Sequence, residues 1–162
     1  MSFDSVISGS FDDFEPRQVA QGGFAYERRQ AVSKRGNQVQ VAYLEVPPGK
    51  SPFPYHWHEG VTEVYVILSG TGSVRTPEGE RIVTAGDVIA FPPGEAGAHR
   101  MTNISETEPL RYVDVDTVAN PDISHQVDSK KSVLLSPDGK IRIFRDADQA
   151  EFYEGEASAE LD

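Results

Sequence analysis

Residues 56–70 read HWHEGVTEVYVILSG and predict two β-strands that carry metal-binding side chains. Successive side chains of a strand point to opposite faces, so His56 and His58 share one face. Glu63 begins the next apolar run and brings a carboxylate back beside them. Two imidazoles and a carboxylate suit a divalent transition metal. Histidines close to aromatic residues also occur simply as packing residues, so the wider sequence has to decide.

Two gapped motifs surround this stretch. The first has its fixed points at Gly49, residues 56–58, Glu63 and Gly70. The second has them at residues 86–87, residues 92–94, His99 and Asn103. In their order and separation these motifs resemble the paired signature motifs of the cupin superfamily, and the resemblance covers residues 37–117. It implies an all-β fold, a double-stranded β-helix of the jelly-roll type that forms a small antiparallel barrel.

The second motif departs from the family pattern in one respect. Residues 95–98 separate its glycine from His99, which makes this loop longer than is usual in the family. The longer loop is similar to that of a group of short, single-domain bacterial cupins, some of which carry the provisional name of sugar-phosphate isomerase. A fold does not fix a function, so that name enters only as an analogy.

The resemblance implies four metal ligands, which are His56, His58, Glu63 and His99. They would hold one divalent transition-metal ion, and Zn, Mn, Fe and Ni all tolerate this set of donors. Four protein ligands leave two positions of an octahedral shell open for a substrate.

Other side chains of the motifs are candidates for roles beside the ion. Asn103 shares the strand face of His99, and Tyr65 shares that of Glu63, so we expect both to act as catalytic residues that orient the substrate. A turn residue and a packed core tyrosine are the structural alternatives. Trp57 lies between the two histidines and is expected to point away from the ion. His125 has polar neighbours and is expected to be exposed.

Short β-branched and aromatic runs separated by turn residues are typical of an all-β barrel. The predicted strands span 39–46, 53–58, 62–68, 72–76, 80–84, 88–91, 98–103 and 110–116, with a later hairpin at 132–135 and 140–144. We therefore divide the chain into an N-terminal arm (1–36), the barrel (37–117) and a C-terminal extension packed on the barrel (118–162). The extension is expected to contain a short helix near 147–153 and a frayed tail.

Two regions carry expectations about packing. Residues 1–24 show no clear periodicity and predict an irregular arm, which Phe3, Phe11 and Phe14 would anchor on the barrel. The strand at 62–68 is apolar on both faces, so its outer face must be covered. The arm, the later hairpin or a second subunit could cover it, and the resemblance favours a homodimer.

Composition limits the partners of the chain. Its 162 residues include 26 acidic and 15 basic residues, giving a formal net charge of −11. Such a charge repels nucleic acid and anionic membranes, so a small-molecule substrate is the expected partner. Cysteine is absent, which excludes disulfides and thiolate ligands. With no signal-peptide pattern at its beginning, the sequence predicts a cytoplasmic protein.

Three functions remain open from the sequence. The first is a metal-dependent isomerase or epimerase of sugar phosphates, for which the cations at Lys50, Arg75, Arg100 and Arg111 could bind the phosphate. The second is an iron-dependent dioxygenase, which needs the same four ligands. The third is a non-enzymatic module that binds or senses a small molecule. The isomerase is favoured by the family resemblance.

Overall fold

The structure is a computed structural model and describes residues 7–156. Its regular elements are strands and three single-turn 3-10 helices. The strands are β1 (Pro16–Gln21), β2 (Phe24–Val32), β3 (Val39–Val46), β4 (His56–His58), β5 (Glu63–Ser69), β6 (Thr71–Thr76), β7 (Gly79–Thr84), β8 (Val88–Phe91), β9 (Arg100–Asn103), β10 (Leu110–Thr117), β11 (Asp122–Gln126), β12 (Lys131–Leu135) and β13 (Ile141–Arg145). The 3-10 helices are η1 (Phe11–Asp13), η2 (Glu95–Gly97) and η3 (Asp146–Asp148). The predicted all-β class is confirmed.

The strands form three antiparallel sheets. The largest has the order β1-β2-β3-β10-β5-β8, and the others are β13-β12-β11-β4 and β7-β6-β9. An isolated antiparallel bridge between His56 and His99 links the two smaller sheets. It consists of two backbone hydrogen bonds, from His56 N to His99 O (3.1 Å) and from His99 N to His56 O (2.8 Å). Two histidines far apart in the sequence are therefore backbone neighbours.

The core lies between the large sheet and the β7-β6-β9 sheet, both of which contribute buried side chains to it. Strand β10 alternates between buried and less buried residues along most of its length, and β5 shows the same alternation. The core cluster of buried side chains comprises Ala42, Leu44, Val46, Tyr65, Ile67, Val74, Val83, Phe91, Met101, Leu110 and Tyr112. Burying one such large side chain stabilises the fold by about 1.5–3 kcal/mol, so this cluster is the main source of stability.

The N-terminal region corrects one expectation. Residues 16–32 do not form an irregular arm, because β1 and β2 pair as a hairpin and β2 adds to β3 in the large sheet. Neither strand was predicted, because the side chains of β1 and β2 show no apolar alternation. In addition, β1 is a largely exposed edge strand. Phe11 and Phe14 do anchor the segment before β1, with ring centroids 5.5 Å and 6.2 Å from that of Tyr43. Phe3 lies outside the described residues.

Other element boundaries also differ from expectation. The strand predicted at 53–58 is only His56–His58, because Pro52 and Pro54 cannot donate backbone hydrogen bonds to a ladder. The strand predicted at 98–103 begins at Arg100. Strand β11 was not predicted, since its sequence DISHQ is mostly polar. The predicted helix near 147–153 is wrong, because only η3 and turns occur there. The later hairpin is confirmed as β12 and β13.

The outer face of β5 is only partly covered. Val64 and Val66 are half-buried, whereas Leu68 is 48% exposed. Phe11 and Leu68 line the same shallow cavity, so the N-terminal segment covers one end of this face. The β12–β13 hairpin belongs to a different sheet. A homodimer that covers the remainder stays a prediction. In the described part of the chain, no helix combines the length and hydropathy needed to cross a bilayer.

Candidate metal centre

The three predicted histidine ligands converge on one carboxylate oxygen of the other predicted ligand, Glu63. Glu63 Oε2 lies 3.7 Å from His56 Nε2, 3.8 Å from His58 Nε2 and 3.2 Å from His99 Nε2. Donor atoms of His56, His58 and Glu63 all lie within 4.8 Å of one another. Strands β4 and β5 supply these three residues, and the His56–His99 bridge brings the fourth.

The outer ring nitrogens of the three histidines are anchored by hydrogen-bond acceptors. His56 Nδ1 donates to Pro54 O (2.9 Å), His58 Nδ1 to Asp122 Oδ2 (2.5 Å) and His99 Nδ1 to Gly97 O (2.9 Å). An acceptor at Nδ1 fixes the proton there, so that the lone pair of the neutral ring lies on Nε2. All three lone pairs belong to the nitrogens closest to Glu63. Histidines that bind a metal in proteins typically donate such an outer hydrogen bond from the other ring nitrogen. The donor set therefore fits a divalent ion.

Burial sets the charges of this cluster. It lowers the pKa of His56 to about 4, with the nearby His58 adding to the effect, and it lowers the pKa of His99 well below its usual value. Burial also raises the pKa of Glu63 to about 8. Burial alone would lower the pKa of His58, but the hydrogen bond to Asp122 and the charge of Glu63 outweigh it and raise that pKa. His56 and His99 are therefore neutral at pH 7, the state in which imidazole binds a metal.

His99 has a competing contact at its inner nitrogen. The Tyr65 hydroxyl donates to His99 Nε2 at 3.0 Å, and the ring of Phe91 stacks on the imidazole with centroids 3.6 Å apart. Tyr65 is 1% exposed, and burial raises its pKa well above the usual value. Its contacts hold His99 in place and do not reach the cavity. The role of Tyr65 in orienting a substrate stays a prediction, and its contacts favour the core interpretation.

Asn103 is the last residue of β9, directly before the loop to β10. Its Nδ2 donates to Val46 O (2.8 Å) and Glu108 O (2.9 Å), and its Oδ1 accepts from Ser105 N (2.9 Å). The side chain is fully buried, and the amide is satisfied by backbone groups. Hydrogen bonds from one side chain to several backbone groups are typical of a residue that stabilises a turn. The catalytic role of Asn103 stays a prediction without a contact that supports it.

A cavity of about 540 Å³ opens from the candidate centre. Its floor carries His56, His58 and Glu63. The walls add polar side chains from β2, β10 and β11, together with apolar ones from two separate segments. Cavities of this size are typical of small-molecule sites. His56, His58 and Glu63 therefore border a space large enough for a small metabolite.

Two buried carboxylates of β10 stand beside the centre. Asp114 and Asp116 lie close to Glu63, with one donor atom of each within 4.8 Å of the others. Arg28 Nη2 is 3.9 Å from Asp114 Oδ2, and Gln40 Nε2 donates to Asp116. Burial, followed by the charge of Asp116, raises the pKa of Asp114 well above its usual value. The sequence signal was the pair of aspartates at alternate positions of an otherwise apolar strand.

Asp122 is the residue of the centre that sequence reasoning missed as functional. It accepts the His58 Nδ1 proton and also the backbone N–H of Gly60 (3.1 Å). Burial alone would raise the pKa of the Asp122 carboxyl, but the hydrogen bond with His58, the charge of His58 and two backbone hydrogen bonds together outweigh it and lower that pKa. It comes from β11, which was not predicted as a strand, so nothing in the sequence placed it next to β4.

Several peripheral expectations are corrected. The four cations proposed for phosphate lie in other contacts: Lys50 with Gly22 O, Arg75 and Arg100 with Asp128, and Arg111 with Glu45. The cations that line the cavity are Arg28 and Lys34. Trp57 points away from the centre and stacks on His125 with centroids 4.0 Å apart. His125 is consequently half-buried rather than exposed, and Glu59 Oε1 lies 2.9 Å from its Nε2.

Comparisons with known proteins agree with this architecture. Solved structures of similar fold include one from Silicibacter pomeroyi described as a sugar phosphate isomerase of the cupin superfamily, with 20% identity, a TM-score of 0.75 and coverage of 90% of this chain and 96% of that one. A second, from Acidithiobacillus ferrooxidans and provisionally named a sugar phosphate isomerase, has 18% identity, a TM-score of 0.73 and coverage of 86% and 90%. The polyketide cyclase RemF from Streptomyces resistomycificus has 21% identity, a TM-score of 0.59 and coverage of 70% and 80%.

At these identities the structural similarity shows the fold alone. No curated protein matches the sequence. The family described as Cupin domain matches residues 42–116, a range that begins in β3, ends in β10 and contains all four predicted ligands. Residues 42–116 of this chain therefore form a cupin domain.

Proposed function

We propose that this protein binds one divalent transition-metal ion through His56, His58, Glu63 and His99, and uses it to transform a small metabolite in the adjoining cavity. The observation that carries this proposal is the arrangement of the imidazoles. Each Nδ1 donates outward to a fixed acceptor, and each Nε2 lies within 3.8 Å of Glu63 Oε2. A purely structural site is usually closed, whereas this one borders a cavity.

The residues around the centre have separable tasks. A bound ion would supply Lewis-acid polarisation of a substrate oxygen. Asp122 holds the His58 ring in its tautomer, and the Gly97 carbonyl does the same for His99. Oδ1 of Asp114 and Oδ1 of Asp116 accept no hydrogen bond from any described residue, and both side chains line the cavity, so this pair of carboxylates is the candidate base for a substrate proton. Arg28 lies close enough to Asp114 to balance its charge.

Isomerisation of a hydroxy-carbonyl compound is the reaction we favour, with a sugar phosphate as the named candidate. Proton transfer between adjacent carbons needs a polarised carbonyl and a base, and the centre offers a place for each. A phosphate group would have Arg28 and Lys34 as its cationic partners. The similarity to structures described as sugar phosphate isomerases supports this choice of substrate to the extent that fold supports function.

A ligand screen on metal-loaded and metal-free protein tests the proposal. A ligand that binds the folded state raises the melting temperature by mass action. We expect hydroxy-carbonyl sugars or their phosphates to raise it in the loaded protein only, with turnover that is independent of oxygen. Turnover with ferrous iron that stops without oxygen would replace the isomerase with a dioxygenase. Absence of any metal-dependent shift, together with absence of turnover, would contradict the enzyme and leave a binding module.

Asp122→Asn is expected to weaken metal binding while leaving the fold intact. The amide keeps the shape of the side chain but removes the negative charge that His58 Nδ1 faces at 2.5 Å. Loss of such an outer partner typically costs roughly 10–100-fold in metal affinity. Competition with a chelator measures it. Asp146→Asn, on an acidic residue that accepts from Ser132 away from the centre, is the control. Equal affinity in the two variants would contradict the role of Asp122.

A further inference from the structure

We propose that the substrate of this site joins a metal-chelating head of adjacent oxygens to an apolar body, and that the body lies along an aliphatic wall formed by β12 and β13. This inference rests on the proposed function and narrows it. It is carried by the juxtaposition, within one cavity, of the metal donors with Val133, Leu135 and Ile141. Metal binding by the donors alone would not require these aliphatic side chains in the same cavity.

The strand register shows how the aliphatic wall is connected to the strand that carries the metal donors. His58 pairs with Ser124, and Ser124 pairs with Val133 on the next strand. Residues paired directly across an antiparallel ladder point to the same face. The inner face of this sheet therefore changes from imidazole on β4, through short polar side chains on β11, to aliphatic side chains on β12. Ligand donors and the wall are separate parts of one continuous surface.

The same rule places the outermost strand in the wall. Asp122 pairs with Leu135, and Leu135 pairs with Ile141. Adjacent strands are about 4.8 Å apart, so the centre of the wall on β12 lies roughly 10 Å from the donors on β4. Phe53 and Pro54 line the cavity as well, and they come from the segment just before β4. The space beside the polar floor thus has apolar side chains from two separate parts of the chain.

The wall leaves apolar surface open on the side of the cavity. Ile141 is 63% exposed although its side chain lines the cavity, and Val133 and Leu135 are only half-buried. A sugar carries hydroxyl groups along its whole length, and these would lose hydrogen bonds to water against aliphatic side chains. An alkyl or aryl body gains free energy there by removing apolar surface from water. Among the hydroxy-carbonyl compounds of the proposed function, the cavity therefore favours those that carry an apolar body.

A homologous series of 2-hydroxy acids tests this inference on the metal-loaded protein. The hydroxyl and carboxylate oxygens of 2-hydroxybutanoate, 2-hydroxyhexanoate and 2-hydroxyoctanoate offer the same chelating head with a lengthening tail. We expect calorimetry to show affinity rising by about fourfold for each methylene that reaches the wall. Equal affinity along the series would overturn the inference. The proposed function would survive that result, since the short acids would still bind in a metal-dependent way.

Two identical substitutions on neighbouring residues separate the wall from a general effect of the hairpin. Leu135 lines the cavity, whereas Leu134 faces the other side of β12 and pairs with Ile123. Leu135→Ser is expected to lower the affinity for 2-hydroxyoctanoate by tenfold or more while the affinity for 2-hydroxybutanoate and the metal content stay unchanged. Leu134→Ser should leave all three quantities unchanged. If both variants lost affinity for 2-hydroxyoctanoate equally, the proposed contact between the wall and the apolar body would be contradicted.

Discussion

His58→Ala is expected to reduce the metal content of the purified protein from about one ion per chain to near zero. The substitution removes one of the three Nε2 donors that converge on Glu63, and it also leaves the buried Asp122 carboxylate without its hydrogen-bond partner at 2.5 Å. Losing an outer partner alone costs roughly 10–100-fold in metal affinity, and the loss of a ligand exceeds that. Elemental analysis after expression in metal-replete medium measures the content, and the identity of the metal separates an iron oxygenase from the other functions.

His125→Ala is the matched control for that experiment. His125 lies on β11 with its ring stacked on Trp57, on the opposite side of β4 from the centre. Its loss should leave the metal content at the wild-type value. A wild-type protein without metal, or equal contents in the two histidine variants, would rule out the proposed ligand set. Circular dichroism of each variant verifies that the barrel is folded.

Gly97→Ala is expected to destabilise the loop before His99 and to weaken metal binding at the same time. A Cβ at this position would lie 1.8 Å from Pro92 O and 2.9 Å from Pro92 C. Both atoms belong to the backbone, so η2 itself has to move. Overpacking of this kind typically costs about 1–3 kcal/mol of unfolding free energy. The displaced Gly97 carbonyl also anchors His99 Nδ1, so metal affinity should fall by roughly tenfold or more.

Gly23→Ala provides the control for the glycine experiment. Nothing lies within 4 Å of a Cβ built on Gly23, and its φ is not in the left-handed region. This substitution should be neutral or slightly stabilising, because alanine restricts the unfolded chain. Thermal unfolding and chelator competition compare the two variants. Wild-type metal affinity in Gly97→Ala would contradict the role of this carbonyl, even if the variant proved less stable.

The sequence predicted the parts of the fold that carry strong periodicity. Strands β5 and β10 each place large apolar side chains on the inner face, and this pattern can be recognised from the sequence alone. The His56 and His58 pair was placed on one face by the same two-residue repeat. Strand β1 was missed because an exposed edge strand has no apolar face to reveal it.

The sequence predicted which side chains meet at the candidate centre, but not the residues that surround them. Residues on a single strand can be related by spacing, whereas contacts between strands depend on topology that spacing does not encode. Asp122 reaches His58 only because β11 pairs with β4. The wall of Val133, Leu135 and Ile141 depends in the same way on two further pairings. Arg28 was not considered, since it comes from a strand that the sequence did not reveal.

The bridge between His56 and His99 has a consequence for the order of folding. Two small sheets meet at this single pair, and the chain between the histidines must close a long loop before the pair can form. Loop-closure entropy makes such contacts slow to form compared with local hairpins. We therefore expect the centre, like the other long-range strand pairings, to form after the local hairpins. In that case a bound ion would slow unfolding and leave the folding rate unchanged.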